Sequence, residues 1–175
     1  MRRQISQFFL LLVIYLLFAM PFKAMSLIPG FTDVRPVMAL GPIYGVFYGL
    51  AGCLACAFGN LVADIADDAL HWSSLAGFAS NFLGPYLVWV GWRRIARRPF
   101  ALRTLRDLGF QVLLVTAVAI LETLIITPSV AIAYPEVNLR FFALAVFGNT
   151  AVFPIVLGIP LTILMQEELG AQPMP

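Results

Sequence analysis

Residues 33–68 read DVRPVMALGPIYGVFYGLAGCLACAFGNLVADIADD. The stretch is apolar enough to enter a membrane, yet it carries Gly41, Gly45, Gly49, Gly52 and Gly59 and has polar groups at both ends. Small residues let two helix backbones approach closely, which in lipid replaces the hydrophobic drive that is missing between helices. Polar groups are costly in that solvent and need a reason to be there. The expectation is a tight helical hairpin that opens onto a polar site.

The rest of the chain agrees with a membrane setting. Of its 175 residues 61% are hydrophobic and 11% charged, with a mean hydropathy of +0.93. Ordinary soluble domains are about 45–50% apolar and about 25% charged. The length suits a single integral membrane domain over residues 1–175, without a second soluble module. The opening MRRQISQFFLLLVIYLLFAM has a basic and then an apolar part, as a signal peptide has, but no good small-x-small cleavage site follows it. It reads as a retained first membrane helix. Cys53 and Cys56 lie within an apolar helix, with no further Cys or His to complete a metal site, and read as packing residues.

Hydropathy predicts six spans, at about residues 4–20, 36–48, 49–66, 74–92, 108–127 and 139–165. The second is short against the roughly 20 residues that a bilayer requires. Pro154 and Pro160 are expected to kink the last. The fold class is therefore an all-α membrane protein, a six-helix bundle. Orientation follows from RRIARRPFALRTLRD at residues 93–107, where six arginines face one aspartate. Such a segment belongs in the cytoplasm. Arg2 and Arg3 place the N-terminus on the same side, and six spans return the C-terminus there. Residues 21–35 (with Pro29-Gly30), 67–73 and 131–138 then fall outside, in a multi-pass protein of the inner (plasma) membrane.

A rise of about 1.5 Å per residue assigns each intramembrane polar group a depth. Asn60 lies about 16 Å and Asp64 about 22 Å above the inner start of their span. Asn81 lies about 10 Å below an outer start, Glu122 about 21 Å up its span, and Asn149 about 15 Å down the last. Arg35 sits at the outer rim. Segments far apart in sequence thus send polar groups toward the outer leaflet, where they are expected to line a pocket open to the exterior. The candidate substrate contacts are Arg35 for an anionic group, Asn60, Asn81 and Asn149 for hydrogen bonds, and Asp64 and Glu122 for ligand donors or a cation. Trp72, Tyr86, Trp89 and Tyr134 are candidates for stacking on a ring, with interfacial anchoring as the alternative.

Plainer readings stand beside these. Asn60 and Asn81 suit helix-to-helix hydrogen bonds. Asp64 with Arg35 suits a structural ion pair, and Asp67 with Asp68 a solvated loop edge. Asp64, Asp67, Asp68 and His71 resemble a metal cluster only superficially. No phosphate-cradling loop, nucleophile elbow or HExxH motif occurs, and no internal repeat. The chain is expected not to be an enzyme, and no cofactor, metal or nucleic-acid partner is expected.

Three stretches together carry a family likeness: residues 34–65, then GFASNFLGPYLVW at 77–89, then FGNTAVFPIVLGIPL at 147–161. Their marks are Arg35-Pro36, Gly59-Asn60 with Asp64, Asn81-Phe82, and Asn149 followed by Pro154 and Gly158-x-Pro160. This pattern resembles the substrate-binding S components of energy-coupling-factor (ECF) vitamin transporters, in particular the QueT-like group. The resemblance implies six helices with both termini inside and a small-molecule pocket near the outer face. It also implies docking on a transmembrane coupling subunit that carries two cytoplasmic ATPases. The leading expectation is a membrane subunit that captures a small nutrient, such as a vitamin or nucleobase-like compound, for uptake. The rivals are a membrane sensor or scaffold signalling to a cytoplasmic partner, a small membrane enzyme using Asp64, Asp67, Asp68 and His71, and a purely structural bundle.

Overall fold

The computed structural model describes residues 2–23, 25–28, 32–97, 100–168 and 170–174. Pro29-Gly30 and Arg98, both used in the sequence reading, lie outside the described residues. The chain is helical: α1 (Arg2–Ala19), α2 (Leu40–Ala66), α3 (Ser74–Gly91), α4 (Leu105–Ala133), α5 (Leu139–Phe153) and α6 (Ile159–Glu167). One small antiparallel ribbon, β1 (Ser26–Ile28) with β2 (Thr32–Asp33), sits between α1 and α2.

Local chemistry sets the helix ends. A turn of 3₁₀ helix at Pro36–Ala39 leads into α2, consistent with proline's fixed φ at a helix start. The Thr104 hydroxyl accepts from the Asp107 N–H at 3.2 Å while the Asp107 carboxylate accepts from the Thr104 N–H at 3.1 Å, a reciprocal cap on α4. Asn138 caps α5 by accepting from the Phe141 N–H at 3.2 Å. Pro154 cannot continue the hydrogen-bond ladder of α5, and the chain passes through a wide π turn at Pro154–Gly158 before α6 resumes.

Four helical stretches are long and apolar enough to cross a membrane: Gln4–Phe22, Pro36–Ala66, Leu105–Ala133 and Leu139–Glu167. This is a membrane protein. Six spans were expected from hydropathy; four stretches meet this length and apolarity among the described residues, for two physical reasons. Ser80, Asn81 and Pro85 lower the apolarity of α3, which has 18 residues. The expected second and third spans form one helical stretch, interrupted at Gly49 (φ 55°, ψ −132°).

That interruption is a reversal. Gly52 packs so closely on Tyr44 that an added Cβ would lie 2.6 Å from the Tyr44 carbonyl carbon. Arg35 reaches Asn60 at 2.9 Å. Both pairs straddle Tyr48, so residues 36–48 and 50–66 run back along each other. Gly49 takes the positive φ that a side-chain-bearing residue resists. Gly45 serves a different contact: a Cβ there would sit 2.7 Å from the Pro85 carbonyl carbon in α3. Gly41 has only an ordinary contact, 3.9 Å from Pro85 Cδ. The four-residue glycine ladder is therefore three devices: a free position, a helix crossing and a turn.

The remaining helices follow in antiparallel order. Gly77 of α3 lies beside Asn60, and Trp89 at the far end of α3 lies beside Gly49. Trp92 Nε1 donates to Gln111 Oε1 at 2.6 Å, tying the end of α3 to the start of α4 beside the arginine-rich segment. The main core, with Leu11, Tyr15, Tyr44, Phe47, Cys56, Val88, Trp92 and Val115, fills that half of the molecule. A smaller cluster of Val130, Phe142 and Val146 joins α4 to α5 at the opposite end. Leu10, Leu17, Leu113, Leu124 and Leu144 point outward, an apolar rim suited to lipid.

Candidate functional site

Arg35 stands between β2 and Pro36. The following proline disfavours helix at this residue, and its backbone is non-helical (φ −121°, ψ 70°). The Asn149 side chain from α5 then clips the segment in place. Its Oδ1 accepts from the Arg35 N–H at 2.9 Å, and its Nδ2 donates to the Asp33 carbonyl at 2.8 Å. A helix side chain thereby does what a neighbouring strand would do for this backbone. With the segment held, Arg35 Nη1 donates to Asn60 Oδ1 at 2.9 Å, and Asn60 Nδ2 donates to Asp64 Oδ2 at 3.3 Å, one helical turn on.

Lys23, in the loop after α1, supplies the second cation. Its Nζ lies 3.5 Å from Asp33, 3.6 Å from Asp64 and 3.4 Å from Asp67. Arg35 Nη2 is 3.9 Å from Asp33. The expected Arg35–Asp64 pair is thus replaced by Lys23–Asp64, with Asn60 standing between the arginine and the carboxylate. Asp67, expected at a solvated edge, also turns to Lys23.

These groups form one wall of a cavity that offers about 120 Å³ to the centres of water-sized spheres. One water needs about 10–15 Å³ on that measure, so the space suits a small molecule. The facing wall is apolar and comes from α4 and α5: Ile126, Val130, Tyr134, Phe142 and Val146. Arg35, Asn60, Asp64, Asn81 and Asn149 all line this one cavity. They come from the segment before α2, from α2, α3 and α5. The cavity lies at the end of the bundle opposite the arginine-rich segment.

Glu122 is the sixth candidate, and it lies elsewhere. It lines a second, smaller chamber together with Tyr15, Asn81 and Thr150. The correction has a simple cause. α4 has 29 residues and is about 43 Å long. The expected span ended at residue 127 and so placed Glu122 too near the rim. Ile126, Val130 and Tyr134 occupy that level instead. Glu122 packs on Gly84, two turns deeper along α3 than Gly77.

Of the aromatic candidates, Tyr134 lines the main cavity, its ring 4.9 Å from that of His71. Trp72 is half exposed, Tyr86 stacks on Phe82 at 5.8 Å, and Trp89 lies under Arg93 at 5.4 Å, all three away from the cavity. No group of three or more metal-ligating side chains occurs among the described residues, so Asp64, Asp67, Asp68 and His71 do not form the cluster that their spacing suggested. Cys53 and Cys56 are buried as packing groups.

Comparison with protein-family models, with curated proteins and with solved structures returned no match. The site is therefore read from its own chemistry. Two cations and three carboxylates share the polar wall, and most of their bonding is to one another. One donor is left over: Arg35 Nε is buried and has no hydrogen-bond partner among the described residues. A buried donor without a partner costs roughly 1–3 kcal/mol, and an acceptor group on a bound solute would recover it. Lys23 and Asp33 were missed from the sequence, and Asp67 was read there as a solvated edge or a rival catalytic group. The signal for Lys23 and Asp33 was a loop, residues 21–35, that mixes charge signs directly before an apolar hairpin.

Proposed function

We propose that this chain is a membrane-embedded substrate-binding component, of the kind that serves energy-coupling-factor transporters, and that it captures a small nutrient from outside the cell. The observation that carries the reading is the convergence of five polar residues from four segments on one cavity, faced by an apolar wall. A solute with a polar, acceptor-bearing edge and a flat apolar body matches the two walls. The edge would meet Arg35, and the body would lie against Tyr134 and Phe142.

In this proposal the chain crosses the inner membrane six times. The two arms of the Gly49 hairpin count separately, and α3 crosses despite its modest apolarity. The arginine-rich segment and both termini face the cytoplasm by the positive-inside rule, which turns the cavity outward. Capture precedes release, and release is driven by a coupling subunit and its two ATPases, since no nucleotide-binding loop is present in the chain.

Native mass spectrometry of the gently purified full chain tests the reading. The expected result is a co-purified small molecule whose occupancy falls in Arg35→Ala, with the helical content unchanged. Wild-type protein without any bound small molecule, or occupancy indifferent to Arg35→Ala, overturns it.

A further inference from the structure

The second chamber is smaller and chemically simpler than the main cavity. It offers about 20 Å³ on the measure used above, room for one or two water-sized groups. Its walls are almost wholly apolar, with Val88, Val115, Val118 and Pro154 among them, and Glu122 is its one carboxyl. The two spaces adjoin, because Met38, Asn81 and Thr150 line both.

Glu122 is 4% exposed, and no hydrogen bond or ion pair reaches its carboxyl among the described residues. The neighbouring hydroxyls and the Asn81 amide are already engaged. The Tyr15 hydroxyl donates to Asn81 Oδ1 at 3.3 Å. Asn81 Nδ2 donates to the Gly77 carbonyl at 2.9 Å. The Thr150 hydroxyl donates to the Val146 carbonyl at 3.0 Å. The titratable groups facing the chamber from other helices are Tyr15 of α1 and Cys56 of α2. α3 brings Asn81, Gly84, Pro85 and Val88, and α5 brings Thr150. Lys23 and Arg35 line the main cavity and a third pocket on the other side of Tyr15, and neither lines this chamber.

A carboxylate alone in apolar surroundings is costly, and the remedy is a positive charge against it. The space allows a proton or one small cation. We propose that the inner chamber is an exchange site in which Glu122 holds either a proton or a small ammonium-type group. One replaces the other by way of the main cavity. The exchange is balanced: one cation enters, and the Glu122 proton leaves to solution. This deepens the capture reading and rests on it for the route of entry. A solute bearing an amine would place that group here while its acceptor edge remains at Arg35.

The test uses the full chain in lipid nanodiscs with dicyclohexylcarbodiimide as reagent. That reagent takes up the carboxyl O–H across a C=N bond and so reacts with the protonated acid. Methylammonium chloride is the probe, and tetramethylammonium chloride, too large for the chamber, is the control. Glu122 is expected to be modified, more slowly as pH rises, several-fold more slowly with methylammonium, and unchanged with tetramethylammonium. The adduct disappears in Glu122→Gln. Gly84→Ala pushes the flexible end of Glu122 aside, because a Cβ there would overlap the carboxyl. It should alter the rate and the methylammonium effect without loss of fold. An unmodified Glu122, or modification indifferent to pH or equal with both salts, overturns the proposal. A co-purified solute found together with any of these results leaves the capture reading standing while this inference fails.

Discussion

Lys23→Met removes the one ammonium shared by Asp33, Asp64 and Asp67 and keeps most of the side-chain volume. Each contact is 3.4–3.6 Å long. At an effective dielectric of about 20, Coulomb attraction at that distance is about 5 kcal/mol before any desolvation cost. The three contacts are unequal. The Asp67 side chain is 45% exposed, and such pairs contribute about 0–1 kcal/mol. The Asp33 and Asp64 side chains are 11% and 12% exposed, and stripping the partner from buried carboxylates costs about 3–5 kcal/mol. Some water still reaches the cavity, which brings the expectation for Lys23→Met to about 2–4 kcal/mol. For a chain of this size that corresponds to a fall in Tm of about 5–12 °C.

Thermal melting in detergent, followed by fluorescence-detected size exclusion, measures the shift. The double variant Lys23→Met/Asp64→Asn should recover a large part of it, since one uncompensated carboxylate is then gone. Asp67→Asn alone should cost less than about 1 kcal/mol. The electrostatic account is refuted if Lys23→Met melts with the wild type, or if the double variant is no better than Lys23→Met. Equal losses from Asp67→Asn and Lys23→Met would also refute it, because exposure would then not set the ranking.

Three further outcomes are expected. Gly52→Ala and Gly45→Ala each drive a Cβ into a backbone carbonyl that cannot rotate away. They should cost at least the 1–3 kcal/mol or so of overpacking and reduce the yield of monodisperse protein. Gly148→Ala, with nothing within 4 Å, serves as the neutral control. Asn149→Ala cuts both bonds that hold the ribbon to α5 and should cost about 1–3 kcal/mol by thermal melting. It should also speed proteolysis between residues 23 and 35. Tyr15→Phe removes one 3.3 Å bond to Asn81 and should cost no more than about 1.5 kcal/mol in the same melting assay, while leaving solute occupancy intact.

The sequence made the hairpin legible because its two signals are local. Small residues imply close backbones, Gly52 packs on Tyr44 across the reversal, and Gly49 is where the chain turns. It was equally informative about Arg35, Asn60, Asp64, Asn81 and Asn149. A polar side chain in an apolar run is expensive wherever it points, so its mere presence marks a wet or paired location. The partners were not legible. Asp64 was matched to Arg35 by nearness in depth, but pairing depends on the angle around the helix and on where a loop folds. Lys23 lies 41 positions before Asp64, in a loop that no periodicity describes. The span count was less legible because hydropathy averages over residues: Ser74–Trp92 contains Ser80, Asn81 and Pro85 and falls short of the apolarity of the other stretches, and each arm of the Gly49 hairpin is shorter than the roughly 20 residues that a bilayer requires.

Glu122 shows why depth alone cannot define a site. Its height above the start of α4 was sound arithmetic, but α4 extends to Ala133, about a turn and a half beyond the expected end. The level assigned to Glu122 belongs instead to Val130 and Tyr134. The same shift explains the cavity's division of labour. Because the upper part of α4 is apolar, the main cavity has one polar and one greasy wall. Glu122 lies below it, in a chamber that neither Lys23 nor Arg35 lines. Its isolation follows from helix length, and that isolation is what leaves it dependent on a proton or an incoming cation.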